Sequence, residues 1–216
     1  DFLLNTLQLP DQSCLLDLGC GYGRHAIPLA QEGLHVIGLD RSSNLLQEAR
    51  TRQKDQNLNL SFIRGDVRQF PFAYPFDAVI SMFSSFGYFE DENENFLVLQ
   101  NIADALKPGG LFFIETANRD FIIAHNPPVQ IYRPPNMTLI EERTFDSLTS
   151  QSLVDVTVIQ NGTETHLHHA IRLYTATEMD MLLASVGLQT LGVWGDFHGG
   201  VFTTDSPHLI FLAEKA

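Results

Sequence analysis

Basic residues, cysteine and long apolar runs are all scarce in this chain. Thirteen Lys and Arg face 26 Asp and Glu, so the formal net charge is −13. Phosphate backbones are bound by basic surfaces, and the basic residues here are scattered, which argues against a nucleic-acid partner. An anionic membrane surface is disfavoured for the same reason. The cysteines are two, Cys14 and Cys20. They supply neither a disulfide framework nor a zinc ligand set, and are expected as a buried thiol and a small loop residue in a reducing cytoplasm. No run is long enough to span a bilayer and no signal peptide is visible, so no membrane association is expected. The chain starts at Asp1 rather than Met, and trimming of an N-terminal segment that helps cover a site is expected.

Apolar residues are plentiful: they make up 44% of 216 residues, with 16 Phe among them. That is enough for one sizeable domain with room for an insertion. Apolar runs of strand length alternate with helix-like segments through the first half. Cys14–Leu18, His35–Leu39, Leu60–Ile63, Phe76–Met82 and Leu111–Thr116 read as buried strands. Phe2–Leu7, Arg24–Gln31, Asn44–Lys54 and Glu94–Leu106 read as helices, the last with Phe96, Leu97, Leu99, Ile102, Ala103 and Leu106 inward. Lys107-Pro108-Gly109-Gly110 reads as a turn. Strand-then-helix repetition implies a doubly wound parallel sheet with right-handed crossovers.

The pattern changes after residue 116. Pro127, Pro128, Pro134 and Pro135 mark irregular chain. Leu139–Phe145, Leu153–Ile159 and His166–Tyr174 then read as antiparallel strands, with Asn161-Gly162 as a hairpin turn. Thr177–Val186 reads as a helix, and Thr190–Trp194 and His208–Ala213 as strands that rejoin the main sheet.

The first strand ends in Asp17-Leu18-Gly19-Cys20-Gly21-Tyr22-Gly23-Arg24-His25. Glycine lets the backbone approach a ligand and tolerates dihedrals other residues avoid. A strand leading through such a loop to a helix N-terminus is the cradle of nucleotide-binding sheets. Dinucleotide enzymes favour G-x-G-x-x-G. Here the third glycine comes one residue early and an acid stands two residues before the first. This acid-x-G-x-G-x-G segment resembles that of the class I S-adenosylmethionine-dependent methyltransferases. Phe76-Asp77-Ala78-Val79-Ile80 and Leu106-Lys107-Pro108-Gly109-Gly110-Leu111-Phe112 resemble later motifs of the same family. The closing stretch, from Arg172-Leu173-Tyr174 through Trp194-Gly195-Asp196-Phe197 to Ser206-Pro207-His208, resembles its small-molecule members with an antiparallel insertion.

The resemblance implies a seven-stranded, mostly parallel α/β sheet whose last strand is antiparallel. It implies a cofactor-binding core over residues 1–128, an antiparallel lid over 129–174 roofing an acceptor pocket, and a C-terminal part over 175–216 that completes the sheet. The implied cofactor is S-adenosyl-L-methionine and the implied partner a small-molecule methyl acceptor, handled by a monomer or homodimer. The loop residues Gly19, Cys20, Gly21 and Tyr22 would line the cofactor, with Asp17 fixing the loop and meeting the methionine ammonium. Asp40, with Arg41 beside it, would accept from the ribose diol; the alternative is a helix-capping aspartate on a turn. Asp66 would accept from the adenine amine and the Val67 amide would donate to the ring; the alternative is a turn residue. Met82 and Phe83 would pass beside the methionine half. Tyr22, Phe83 or Phe86 could face the sulfonium, a cation–π attraction of about 0.5–2 kcal/mol, or be core rings.

Methyl transfer from a sulfonium is an in-line displacement in which positioning supplies most of the rate, and a base is needed only for an acceptor that must lose a proton early. No unique base stands out. Tyr88, Tyr132, Arg172 and His198 are the candidates for the acceptor pocket. His198 is the most attractive chemically because it titrates near neutral pH, with an exposed loop histidine as its alternative. In His166-Leu167-His168-His169, His166 and His168 share one strand face but have no carboxylate or cysteine partner at obvious spacing, so no metal is expected. Two other functions compete with methyl transfer: an NAD-dependent oxidoreductase on a similar sheet, and a non-catalytic binder of the same cofactor. The early glycine, Asp17, Asp66 and the antiparallel close count against the first. An aminopropyl transferase is weaker, since no acidic pair is placed for a polyamine.

Overall fold

The computed structural model describes residues 2–69, 72 and 75–216; Asp1 lies outside the described residues. The elements in chain order are α1 (Phe2–Leu7), β1 (Cys14–Leu18), α2 (Ala26–Gln31), β2 (His35–Asp40), α3 (Ser43–Gln53), β3 (Leu60–Arg64), β4 (Phe76–Ser81), α4 (Glu92–Ala105) and β5 (Leu106–Ala117). They continue with α5 (Arg119–His125), β6 (Val129–Tyr132), β7 (Met137–Asp146), β8 (Gln151–Gln160), β9 (Thr163–Arg172), α6 (Ala176–Ser185), β10 (Leu188–Trp194) and β11 (His208–Lys215).

Seven strands make the main sheet in the order β10-β11-β5-β4-β1-β2-β3. β1, β2, β3, β4 and β5 pair in parallel, and β11 runs antiparallel to both β5 and β10. Alternation along each strand sends side chains to two cores. Leu16 and Leu18 join Val79, Phe112, Ile114 and Phe211 under α4 and α6. Leu15 joins Ala78, Ile80, Phe113 and Ile210 under α1, α2 and α3. Leu15, Leu16, Val79, Phe112 and Phe113 have no exposed surface, and each such burial stabilises by roughly 1.5–3 kcal/mol. Asp17 follows Leu15 by two residues, so the same alternation turns its carboxylate toward the α2 side.

Four differences from the sequence expectation have physical causes. In α4 the buried stripe is Asn95, Val98, Leu99, Ile102 and Ala103, whereas Leu97 is 39% exposed. A buried Asn passes as surface on a hydrophobic wheel, but Asn95 is satisfied locally, its Nδ2 donating to the Phe89 carbonyl at 3.0 Å. Leu106 lies in β5 rather than α4, because the expected Lys107–Gly110 turn forms as a bulge inside that strand. Phe76 pairs with Leu106 and Ala78 with Leu111, leaving four residues opposite Asp77. Asp77 fills the gap, accepting from the Cys14 amide at 2.8 Å and from Lys107 Nζ at 2.6 Å. The third difference is α5, which buries no side chain and is capped by Asn118, whose carboxamide oxygen accepts from the Asp120 amide at 3.1 Å. The fourth is β6, which forms inside the proline-flanked stretch and pairs with β7 from Val129↔Glu142 to Tyr132↔Leu139.

β6, β7, β8 and β9 form a second, antiparallel sheet. It meets the core where the Arg172 amide donates to the Gly87 carbonyl at 2.8 Å. Leu99→Ala, in the buried stripe, is expected to cost 2–5 kcal/mol, of the order measured for large-to-small core changes, and Leu97→Ala less than about 1 kcal/mol. Urea unfolding of the two variants checks this; equal losses would contradict the stripe.

Candidate functional site

The carboxyl ends of β1, β2, β4 and β5 converge, as they do at the ligand crevice of open α/β sheets. The loop after β1 docks on the end of β2. The Leu39 carbonyl accepts from the amides of Gly19 at 2.8 Å and Cys20 at 3.1 Å. Asp40 extends the grip: Oδ2 accepts from the Gly21 amide at 2.8 Å and Oδ1 from the Ser42 amide at 2.7 Å. Asp40 thus ties the loop to the first turn of α3 and keeps lone pairs on both oxygens for a further donor.

The loop glycines are not equivalent. Gly19, Gly21 and Gly23 have φ of +73°, +54° and +81°. A Cβ on Gly19 would lie 2.6 Å from Ser85 Oγ, and one on Gly23 2.8 Å from the Phe62 ring, whereas one on Gly21 would meet nothing within 4 Å. Gly19 and Gly23 are needed for packing. Gly21 faces open space.

That space is a cavity of about 250 Å³ lined by Gly19, Cys20, Gly21, Tyr22, Arg24, His25, Met82, Phe83 and Ser85. Six of these were singled out by sequence; Arg24, His25 and Ser85 were not. Burial holds the Cys20 thiol far above its usual range, so it stays protonated. Tyr22 carries the Arg52 guanidinium 4.1 Å above its ring. Phe83 is 48% exposed on the cavity wall, stacked on His25 at 5.3 Å between centroids. Burial and the neighbouring Arg24 charge lower the His25 pKa, opposed by Glu115.

Phe83 is held there against its backbone preference. It and Ser84 have φ of +54° and +53°, a left-handed conformation that costs roughly 1–2 kcal/mol per residue. β5 supplies the compensation. Glu115 Oε2 accepts from the Phe83 amide at 2.6 Å, the Glu115 carbonyl from the Ser84 amide at 3.2 Å, and Ser84 Oγ from the Ala117 amide at 3.0 Å. Glu115 is itself 2% exposed, and its Oε1 meets His208 Nδ1 at 2.8 Å. His208 ends the closing stretch noted in the sequence, but no spacing along the chain marks its pairing with Glu115.

Beneath the loop, Asp17 is 1% exposed. Its Oδ2 has no hydrogen-bond partner among the described residues. Burial raises its pKa to about 7; the Ala26 amide pulls the other way, and the Asp40 charge adds to the rise. The sign follows. The unfolded group ionises near pH 4 and the folded one near 7, so the charged form weakens the fold progressively across that window. A cation at Oδ2 would relieve the penalty.

The remaining sequence candidates lie apart. Asp66, beyond β3, is paired with Arg68, which donates from Nε to Oδ1 at 3.0 Å and from Nη2 to Oδ2 at 2.6 Å. That bidentate contact lowers the Asp66 pKa to about 2. Val67 is half-buried against the α4 core. The Arg41 carbonyl accepts from Arg64 Nε at 3.1 Å. Arg172 is ion-paired to Glu178 at 2.6 Å and lines a separate cavity with Glu92 and Tyr174. Tyr132 lines a third cavity, on the second sheet, with Ile131 and Leu139. Tyr88 and His198 are exposed and line none of these three cavities. Among the described residues no His, Cys, Asp and Glu group could hold a metal ion. No helix of the described residues is long and apolar enough to cross a membrane.

The two glycines predict separable effects. Gly21→Ala is expected to cost about 1–2 kcal/mol of stability, from φ alone, and to project a methyl into the cavity. Gly19→Ala adds a clash with Ser85 and is expected to cost more. Thermal unfolding with and without S-adenosylhomocysteine separates them: Gly21→Ala loses the ligand-induced rise in Tm at a small cost in Tm. An unimpaired rise would contradict the assignment of this cavity.

Residues 15–110 match the family model described as a methyltransferase domain. Cypemycin N-terminal methyltransferase from a Streptomyces species is 27% identical over 209 residues, covering 95% of this chain and 84% of that protein. An S-adenosylmethionine-dependent methyltransferase from Clostridium acetobutylicum superposes with a TM-score of 0.88 at 17% identity, covering 100% of this chain and 90% of that one. S-adenosylmethionine-bound CalS10, an amino pentose methyltransferase from Micromonospora echinaspora, gives 0.75 at 22%, covering 99% and 89%. The residues around the loop fit this cofactor: an unpartnered buried carboxylate oxygen suits its ammonium, and the open side of Gly21 leaves room for its body. Residues 15–110 thus match a methyltransferase domain, and the chain as a whole has the fold of S-adenosylmethionine-dependent methyltransferases.

Proposed function

We propose that this chain transfers a methyl group from S-adenosylmethionine to a small-molecule amine, by in-line displacement with positioning as the main source of rate. The observation that carries the reading is the wall of the loop cavity. Phe83 is fixed in a left-handed conformation, half-exposed and flanked by His25, beside a loop built to seat the cofactor. Strain of this kind persists where surrounding structure imposes it, and it clusters at working sites. The bound cofactor would supply an electrophilic methyl carbon activated by a sulfonium. The chain's own part is to seat it: Asp17 takes the ammonium, the loop amides and Asp40 hold the ribose side, and Met82 and Phe83 flank the methionine half. Adenine would lie toward Asp66 and Val67.

The amine class comes from the relatives, one named for an N-terminal methyl transfer and one for an amino pentose. The strongly acidic composition is compatible with a cationic or neutral acceptor and unsuited to nucleic acid. In this proposal the second sheet, within residues 129–174, roofs the acceptor site, with Tyr88, Tyr132, Arg172 and His198 as the residues it brings toward the acceptor on closing. The protein would act in the cytoplasm as a monomer or homodimer.

Incubation with methyl-labelled S-adenosylmethionine and a small-molecule extract tests this. Label is expected in N-methyl products of the extract. Cofactor binding without labelled product would favour a non-catalytic binder, and stabilisation by NAD instead of S-adenosylmethionine would favour an oxidoreductase.

A further inference from the structure

The chain contains a histidine–carboxylate pair, Glu115 and His208, to which the sequence reading assigns no role. His208 opens β11, and the antiparallel register sets it against Ala117, at the end of β5. Two residues back along β5, Glu115 is shut from solvent, with a side-chain exposure of 3%, while His208 keeps 32%. Glu115 Oε1 lies 2.8 Å from His208 Nδ1, and Oε2 lies 2.6 Å from the Phe83 amide. One carboxylate therefore grips both the histidine and the strained wall of the cofactor cavity. Phe197 closes the group, its ring 5.0 Å from His208 and 6.5 Å from Phe83 between centroids.

The hydrogen-bond chemistry dictates the histidine's tautomer. A carboxylate accepting at both oxygens requires the proton on Nδ1, so in the neutral ring Nε2 carries the free lone pair. Among the described residues nothing hydrogen-bonds Nε2. Asp196, on the loop after β10, also lies near the ring. An imidazole with its δ nitrogen held by a buried carboxylate and its ε nitrogen open is the arrangement of an oriented general base.

We propose that His208 is the proton acceptor of the methyl transfer and Glu115 its positioning residue. This deepens the reading of the site as one that methylates a small amine, and rests on it. The acceptor binds as its ammonium form and gives an N–H proton to His208 Nε2, which frees the nitrogen lone pair. The lone pair then forms the new bond to the methyl carbon and displaces sulfur, which keeps the electron pair of the old bond and loses its positive charge to the nitrogen. Glu115 balances the imidazolium, which then returns the proton to water. The same carboxylate holds Phe83 in place, so the base and the cavity wall are fixed by one group.

Wild type, His208→Asn and Glu115→Gln are compared in two measurements. The first is label transfer from S-adenosylmethionine to the small-molecule extract, with S-adenosylhomocysteine affinity measured by calorimetry on the same samples. His208→Asn is expected to slow transfer about 100-fold or more, in the usual range for a lost general base, with affinity unchanged. Transfer at the wild-type rate would overturn the proposal and leave the methyltransferase reading standing. Absence of transfer by wild type would overturn both. The second is ring-nitrogen NMR of His208, which needs no acceptor. The neutral ring is expected with its proton on Nδ1, and Glu115→Gln is expected to mix the tautomers. A wild-type ring protonated on Nε2, or a tautomer indifferent to Glu115→Gln, would overturn the proposal by itself.

Discussion

A carboxylate shut away from water with one oxygen unpartnered must stay protonated or meet a cation, and the loop after β1 is built over such a group. Asp17 is buried because β1 alternates it with Leu15 toward the α2 side, under a loop that the end of β2 holds down. The Leu39 carbonyl and the Asp40 carboxylate take the amides of Gly19, Cys20 and Gly21. Loosening that grip would let water reach Asp17 and remove the reason for its raised pKa. The same grip presents the open side of Gly21 to the cavity. Loop geometry, acid and cavity therefore form one unit.

A second unit faces it across the cavity. The left-handed pair Phe83 and Ser84 would relax if Glu115, the Glu115 carbonyl and the Ala117 amide did not hold it. Glu115 is buried in turn because β11 lies antiparallel against β5 and brings His208 alongside. The reversed last strand thus does more than complete the sheet. It places a titratable side chain at the edge where parallel neighbours end, a position a parallel strand would reach only with its own carboxyl end. The first unit, built by local sequence, is the seat proposed for the cofactor, and the second shapes the other wall of the cavity through long-range pairing.

This division explains what could be read from the chain. The strands β1, β2 and β3 were legible because their signals are contiguous, an apolar run with Gly or Asp at its end, and β4 and the second half of β5 because they are apolar runs. The antiparallel second sheet was legible from Asn161-Gly162 and the three runs around it. α5 was not, since its signal is the Asn118 cap and its faces bury nothing. β6 was hidden by flanking prolines, and Asn95 by its polarity. Asp66 was legible as the end of β3 but its salt bridge to Arg68 was not, although the partner is two residues away, because side-chain direction decides it. Glu115 and His208 stand 93 residues apart and meet through strand register alone.

On the proposed seating, the Asp17 carboxylate is largely protonated in the free protein at pH 6 and ionises against the cofactor's ammonium. Titration calorimetry of S-adenosylhomocysteine at pH 6, repeated in two buffers of different ionisation enthalpy, counts the protons released on binding. With Asp17 ionising near 7 in the free state, release of about one proton per site is predicted, since opposite charge favours the ionised form. Tight binding with no proton release would contradict the account.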